Sequence, residues 1–183
     1  MNKLTTRIAL IALGSVALST GAIAKNPAVG GAAMYENRNI VQNAVNSKDH
    51  TTLVAAVKAA GLVDTLSSPG PFTVFAPTNA AFGKLPAGTV DTLLMPQNKA
   101  TLVSILTYHV VPGRLTAGSI GAKIKAGKGT ARLTTVQGEQ LTARMKGKSL
   151  LLTDTKGNVA RVTIANVMQS NGVIHVIDTV LMP

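Results

Sequence analysis

The chain offers few side chains that can do acid–base, nucleophilic or metal chemistry. Its 183 residues include three histidines, seven aspartates and glutamates together, and no cysteine. The histidines, His50, His109 and His175, lie far apart in the sequence, and no H-E-x-x-H pair gives zinc-ligand spacing. Without cysteine there are no thiolate metal sites and no cysteine nucleophiles. We therefore predict no catalytic residue, no metal site and no cofactor.

Two glycine-containing segments resemble catalytic motifs only superficially. In Gly118-Ser119-Ile120-Gly121 the serine lacks the glycine two places before it that a G-x-S-x-G nucleophile turn needs. The segment 121–130 has five residues between Gly121 and Gly127, where a P-loop has four. Gly129 also follows Lys128 where a P-loop needs serine or threonine. An enzyme is thus the weakest of the function classes.

Residues 1–24 are predicted to be a secretory signal peptide. Lys3 and Arg7 form a basic start, and the apolar run from Ile8 to Leu18 is too short to span a bilayer core of about 30 Å. The sequence Ala22-Ile23-Ala24 then gives a small-x-small cleavage site. We favour this interpretation over a buried N-terminal helix. It predicts cleavage after Ala24, a secreted or periplasmic protein, and no transmembrane segment after cleavage.

The charge is strongly basic and unevenly spread. The formal net charge is +11, and the stretch from Arg114 to Arg161 contains only Glu139 and Asp154 as acidic residues. Four cations fall on the polar positions of alternating strands: Arg132, Arg144, Lys146 and Arg161. They form either an ordinary solvated face or a face that binds polyanions such as surface polysaccharide or anionic lipid headgroups. Nucleic acid is not expected, because no aromatic residue for base stacking lies among these strands.

Hydrophobic periodicity predicts an α+β fold with its helices mainly in the N-terminal half. Residues 25–36 are small and aperiodic and predict a flexible leader, and residues 37–183 predict one domain. Leu53, Val57 and Ala60 share a helix face, and Gly61 suits a left-handed helix end. After Gly127 the period changes to that of antiparallel strands separated by turn residues. The last strand, 173–177, is apolar on both faces and is predicted to lie centrally in its sheet.

Three segments in order resemble the conserved blocks of fasciclin domains (FAS1, also called βig-h3/fasciclin). The first, residues 73–82, reads T-V-F-A-P-T-N-A-A-F. The second is Tyr108-His109 within L-T-Y-H-V-V-P-G, which is similar to the family's Tyr-His motif. The third, residues 171–181, reads N-G-V-I-H-V-I-D-T-V-L. The resemblance covers residues 37–183 and is strongest to the single-domain bacterial secreted type.

This resemblance implies a β-sandwich or wedge of mostly antiparallel strands with several helices packed alongside. It also implies extracellular adhesion or binding, with Tyr108 and His109 as the family's binding motif. In animal members the Tyr-His region is implicated in integrin binding together with acidic Asp-Ile motifs. Asn39-Ile40 stands here where such a motif is sought, and there is no Arg-Gly-Asp. Integrin binding is therefore not expected.

The residues themselves favour a structural role for much of the motif. His109 lies four residues after Ile105 and seven after Leu102, so it should face the core and bond the backbone. Tyr108, one position round the helix, should lie nearer the surface. Thr78 or Asn79 should cap the short helix that carries Phe82. The structural set comprises Phe75, Pro77, Thr78, Asn79, Phe82, Asn171, Gly172, His175 and Asp178.

The sequence as a whole predicts an exported, non-enzymatic adhesion or binding module. Its expected partner is a cell-surface or matrix protein or a polysaccharide. The alternative is a protein that binds anionic polysaccharide or a small apolar ligand, with adhesion as a secondary consequence.

Overall fold

A computed structural model describes residues 26–183. The predicted signal peptide, residues 1–24, lies outside the described residues. The helices of the described part are α1 (Ile40–Ala44), α2 (Thr51–Ala60), α3 (Val63–Ser67), α4 (Asn79–Phe82), α5 (Thr89–Leu94), α6 (Lys99–Tyr108) and α7 (Ala117–Ala126). The strands are β1 (Phe72–Pro77), β2 (Val110–Pro112), β3 (Thr130–Thr134), β4 (Gln140–Lys146), β5 (Ser149–Thr153), β6 (Val159–Gln169) and β7 (Gly172–Ile177). Short 3-10 turns occupy Lys48–His50 and Pro96–Asn98. Within this part, none of the helices has the length and apolar character needed to cross a membrane.

The strands form one strongly bent sheet in the order β2-β1-β7-β6-β5-β4-β3. All neighbours are antiparallel except β1 and β7, which run parallel. The long strand β6 shifts register against β7 between Val162 and Val167 and so belongs to both halves of the sheet. The two edges approach each other, and the Val136 N–H donates to the Val110 carbonyl at 2.7 Å. The sheet is thus nearly closed, which confirms the predicted wedge of mostly antiparallel strands with helices mainly in the N-terminal half.

The hydrophobic core divides into two clusters. The first lies between helices α1–α6 and the half of the sheet that contains β1 and β7. The second lies under α7 and against β3, β4 and β5, with Ile120, Leu141 and Leu152 fully buried in it. All six residues of β7 are buried. The central position predicted for β7 from its two apolar faces is confirmed, since it pairs with β1 and β6.

The helix end predicted at Gly61 has the expected geometry. Gly61 has φ +73°, in the left-handed region, and its N–H donates to the Lys58 carbonyl. The Leu62 N–H reaches back to the Val57 carbonyl at 3.0 Å. These two bonds make a Schellman motif, which satisfies carbonyls that the end of α2 would otherwise leave unpaired.

The segment expected to be a flexible leader is packed against the domain from Asn26 onward. The Asn26 side chain exchanges two hydrogen bonds with the backbone of Met168, at 2.6 and 2.9 Å. Val29 and Met34 are buried in the first core cluster. These contacts place Asn26, Val29 and Met34 against the domain, whereas the flexible leader of residues 25–36 is a prediction from composition alone.

Candidate functional site

The Tyr-His pair lies where α6 ends and the chain turns into β2. His109 is 2% exposed, which confirms the inward orientation expected from its spacing after Leu102 and Ile105. Its Nδ1 lies 2.8 Å from the Ile105 carbonyl, which can only accept, so Nδ1 carries the proton. Nε2 then accepts the Leu181 N–H at 3.0 Å. Both ring nitrogens are therefore used to join the end of α6 to the chain after β7.

Burial controls the protonation of His109. Desolvation lowers its pKa to about 4, and the Ile105 carbonyl and the charge of Asp154 oppose this shift only in part. The ring is thus neutral near pH 7. A neutral, buried ring with both nitrogens bonded has no free atom for a ligand or for proton transfer.

Tyr108 is fully buried, so the expectation that it lies nearer the surface is wrong. Its ring belongs to the second core cluster, whereas the residues before it on α6 pack in the first. The hydroxyl donates to the Gln140 carbonyl and accepts the Thr155 N–H, each at 3.2 Å. Burial raises its pKa. The last turn of α6 thus has core on two sides, and within it Thr107 is the one partly exposed residue.

His175 has an equally structural position on β7. It is fully buried and stacks on Phe75, with ring centroids 5.7 Å apart. Nε2 donates to the Leu115 carbonyl at 2.8 Å, and Nδ1 accepts the Asn166 N–H at 3.3 Å. Burial lowers its pKa, opposed by the Leu115 carbonyl. The ring thus joins β7 to the bulge of β6 and to the loop before α7.

The first motif segment supplies core and helix caps. Phe75, Pro77 and Phe82 are buried. Thr78 caps α4, since its side chain accepts the Ala81 N–H at 3.2 Å. Of the two residues expected to cap this helix, Thr78 therefore does so and Asn79 does not.

Asn79 instead serves the start of a neighbouring helix. Its Oδ1 accepts the Thr52 N–H at 3.0 Å, which satisfies a donor in the first turn of α2. Its Nδ2 donates to the Lys48 carbonyl at 2.9 Å and to the Thr51 hydroxyl at 3.0 Å. Asn79 can reach these groups because Thr78 already caps α4, which leaves the amide free to join α4 to α2.

The third motif segment holds distant parts of the chain together. Asn171 accepts the Ile40 N–H at 3.0 Å and donates to the carbonyls of Leu66 and Ser68 at 2.8 and 2.9 Å. A Cβ on Gly172 would lie 2.1 Å from the carbonyl oxygen of Phe72, so only glycine permits this approach.

Asp178 anchors β6 beside the end of β7. Its Oδ1 accepts the Arg161 N–H at 2.8 Å, and its Oδ2 lies 3.6 Å from Arg161 Nε. Like the contacts of the first two segments, this one joins parts of the fold that are distant in the sequence.

The four basic residues selected from the sequence lie on one exposed face of the sheet. Arg132 pairs with Thr142 across β3 and β4, and Arg144 pairs with Thr130. Their neighbours Ala131, Leu133, Leu141 and Ala143 point to the buried face. The outer face therefore carries the cations, as strand alternation predicted.

Two of these cations flank a single apolar residue. Arg144 pairs with Leu151 across β4 and β5, and Leu151 pairs with Arg161 across β5 and β6. Leu151 is 8% exposed although it lies on the outer face. Lys146 pairs with Ser149 at the end of the same face. We call Arg132, Arg144, Lys146 and Arg161 the basic face.

A cavity of about 60 Å³ lies inside the first core cluster, between α1, α2, α3 and strands β1 and β7. Its walls are almost entirely aliphatic, with Ser47, His50, Lys58 and His109 as the polar exceptions. His50 is 3% exposed, and its Nδ1 lies 2.9 Å from the Ser47 hydroxyl. A serine and a histidine three residues apart, just before an amphipathic helix, are the one sequence signal at this cavity.

The histidine and acidic side chains of residues 26–183 do not form a metal site. In this part of the chain no three histidine or acidic side chains come close enough together to hold a metal ion. His50 and His109 line the cavity, and His175 stacks on Phe75 in the second cluster region.

Comparisons of this sequence with known protein families and proteins match it to one family. A model of the Fasciclin domain family matches residues 48–183. Protein sll1483 of Synechocystis sp. is 50% identical over 159 residues, which cover 87% of this chain and 81% of that protein. Cell surface glycolipoprotein MPB83 of Mycobacterium bovis is 37% identical over 87% of this chain and 68% of its own.

A solved structure matches the fold. It is a FAS1 domain pair from the insect cell adhesion molecule Fasciclin I, with a TM-score of 0.69 over 80% of this chain and 51% of that chain. The sequence identity of that match is 19%, so it demonstrates the shared fold alone.

Proposed function

This chain belongs to the fasciclin domain family, as its three motif segments predicted, and we propose that it is an exported, non-enzymatic adhesion or binding module of the cell envelope. The family model covers most of the chain, and one relative is by name a cell-surface protein. The family match and this cell-surface relative support adhesion as the general role.

The observation that carries the proposal is that the central motif residues are buried, so that they are not part of the exposed surface. Tyr108, His109 and His175 are 0–2% exposed, and all their polar side-chain atoms have hydrogen-bond partners. Contact with a large partner needs exposed groups, so these three residues support the fold rather than touch the partner. Binding is thus left to the surface outside the motif.

The basic face is the part of that surface best suited to an acidic partner. Its four cations project from β3, β4 and β6, with β5 between β4 and β6. Among the described residues, the one ion pair at this face is the partly exposed contact of Arg161 with Asp178 at 3.6 Å. Such a contact contributes at most about 1 kcal/mol, so it does not hold the guanidinium away from a polyanion. We propose anionic polysaccharide as the partner of this face.

Heparin chromatography tests this assignment, with heparin as the polyanion actually used. The variant with Arg132, Arg144, Lys146 and Arg161 all changed to Ala should elute at clearly lower salt than wild type. A matched control removes the same formal charge from exposed lysines of the helical half: Lys48, Lys58, Lys84 and Lys99. Because salt screens exposed charges over about 8–10 Å, retention of the wild type should fall steeply with ionic strength.

The two variants distinguish a specific face from general charge. If the basic-face variant loses retention and the lysine control keeps most of it, the face binds polyanions. Equal losses in both variants would show that net charge alone governs retention, and the assignment would then be wrong.

Export is the other element of the proposal, and the basic, apolar and small-residue pattern of residues 1–24 supports it. Mature protein should begin at Lys25. Mass spectrometry of the exported protein checks this, and an intact Met1 terminus would contradict it.

A further inference from the structure

We propose that the cavity beside His50 is a binding site for the carbonyl-bearing end of a small, neutral, apolar molecule. This site lies in the helical half of the protein and is independent of the basic face. The proposal rests on one polar atom that the fold leaves without a partner inside an aliphatic cavity.

His50 Nε2 is the buried side-chain nitrogen or oxygen atom that has no hydrogen-bond partner among the described residues. The Ala76 carbonyl and the charge of Asp49 both act to raise the pKa of His50, but the contact with Ala76 does not have hydrogen-bond geometry. Burial is the larger influence and lowers that pKa, so the ring is neutral near pH 7. In the same cavity His109 has both nitrogens bonded. Of the two histidines that line the cavity, His50 is therefore the one with a ring nitrogen available to a ligand.

The neighbouring serine determines which hydrogen-bonding role Nε2 has. Within the described part of the chain, the Ser47 hydroxyl makes its one hydrogen bond to His50 Nδ1, at 2.9 Å. Since this buried hydroxyl has no other acceptor, its proton is best placed toward Nδ1. Nδ1 is then the acceptor, and Nε2 carries the ring proton. The unpartnered atom is therefore an N–H donor, and its natural complement is an acceptor oxygen.

The cavity walls determine the rest of the ligand. A buried water needs about two to four polar partners, and these aliphatic walls give it little beyond the one N–H. The volume of about 60 Å³ is smaller than the roughly 150 Å³ of an apolar cavity that holds benzene. It accepts a small fragment. Val41, Val54 and Lys58 line the cavity and are partly or fully exposed, so the remainder of a longer molecule can leave beside α2.

A matched pair of probes isolates the hydrogen bond. The probes are 2-butanone and 2-methyl-1-butene, which have the same shape and differ in the acceptor oxygen. Dissociation constants come from amide chemical shifts of Ser47 and Ala76 in isotope-labelled protein, measured for wild type and for His50→Leu. We expect the substitution to weaken 2-butanone about tenfold, the size of an ordinary net hydrogen bond. The alkene should change less than about threefold.

Two further variants keep the test decisive. Ser47→Ala removes the bond that orients the ring, so it should weaken 2-butanone several-fold and leave the alkene unchanged, even if His50→Leu does not fold. Lys99→Ala, at an exposed position of α6 outside the cavity, should leave both probes unaffected. The basic-face variant should bind 2-butanone as wild type does, which separates this proposal from the polysaccharide proposal.

Two results would overturn the proposal. One is an equal loss of both probes on substitution of His50 or Ser47, which would make the cavity a non-selective apolar space. The other is the absence of binding by either probe together with magnetisation transfer from water to the His50 Nε2 proton, which would make it a hydration site only.

Discussion

The inner motif residues and the basic face differ in almost every physical property. Tyr108, His109 and His175 are buried, uncharged near pH 7 and fully hydrogen-bonded, and they link elements distant in the chain. Arg132 and Arg144 are exposed and charged, and they lie on strands whose other face forms the core. These three motif residues are thus poorly placed to touch a partner. They hold the fold together, and we propose that the partner is recognised by residues outside the motif.

The largest expected effect follows from His109→Ala. The substitution leaves the Ile105 carbonyl and the Leu181 N–H without their partner and opens space in the core. We expect a loss of about 3–5 kcal/mol in the free energy of unfolding, measured by urea denaturation. The matched control is Arg132→Ala on the basic face, which should change the same quantity by no more than about 0.5 kcal/mol. If the two variants had similar free energies of unfolding, the buried motif and the basic face would not differ in their contribution to stability, and this account would be contradicted.

The pH dependence of the free energy of unfolding should reflect the burial of His109. The folded-state pKa of His109 is about 4, below the usual value of about 6.5 in an unfolded chain. The unfolded state therefore takes up the proton first as the pH falls, and stability decreases between about pH 6.5 and pH 4. From pH 7.5 to pH 5 this one group should remove about 2 kcal/mol. The lowered pKa values of His50 and His175 act in the same direction.

Nuclear magnetic resonance can assign that loss to the residue. The His109 ring should remain neutral down to about pH 4 in the folded protein, with the proton on Nδ1. A ring that titrates near pH 6.5 in folded protein would place His109 in contact with water and would contradict its structural role.

Tyr108→Phe should have a smaller but measurable effect. The variant keeps the buried ring and removes the hydroxyl, which leaves the Gln140 carbonyl and the Thr155 N–H unpaired. We expect a loss of about 1–2 kcal/mol in the free energy of unfolding. The sequence alone, which placed Tyr108 near the surface, would predict almost no change. Thermal or urea unfolding distinguishes the two expectations.

The smallest effect on stability should come from the basic face itself. Replacement of all four cations by Ala removes one exposed ion pair, with Asp178, and relieves repulsion among like charges. The free energy of unfolding should change by no more than about 1 kcal/mol. Calorimetry checks this, and a much larger loss would show that the face is part of the scaffold.

The comparison also explains which parts of the fold the sequence could predict. Periodicity reports which side of an element is buried, so it predicted the inward orientation of His109, the central position of β7 and the outward cations of β3 and β4. It failed for Tyr108, because a helix pattern assumes one buried side and the end of α6 has core on two. Capping chemistry left Thr78 and Asn79 as alternatives for α4, because the group that Asn79 caps belongs to another helix. The cavity beside His50 depends on how α1, α2 and α3 meet β1, which no local pattern encodes.

Attachment per folded molecule tests the central claim most directly. Wild type, His109→Ala and the basic-face variant are applied to immobilised heparin, and bound protein is divided by the fraction folded under the same conditions. The account predicts that His109→Ala binds as wild type once this correction is made, while the basic-face variant retains wild-type stability and loses attachment. The reverse result, in which a stably folded His109→Ala loses attachment and the basic-face variant keeps it, would make the histidine a contact residue and contradict the account.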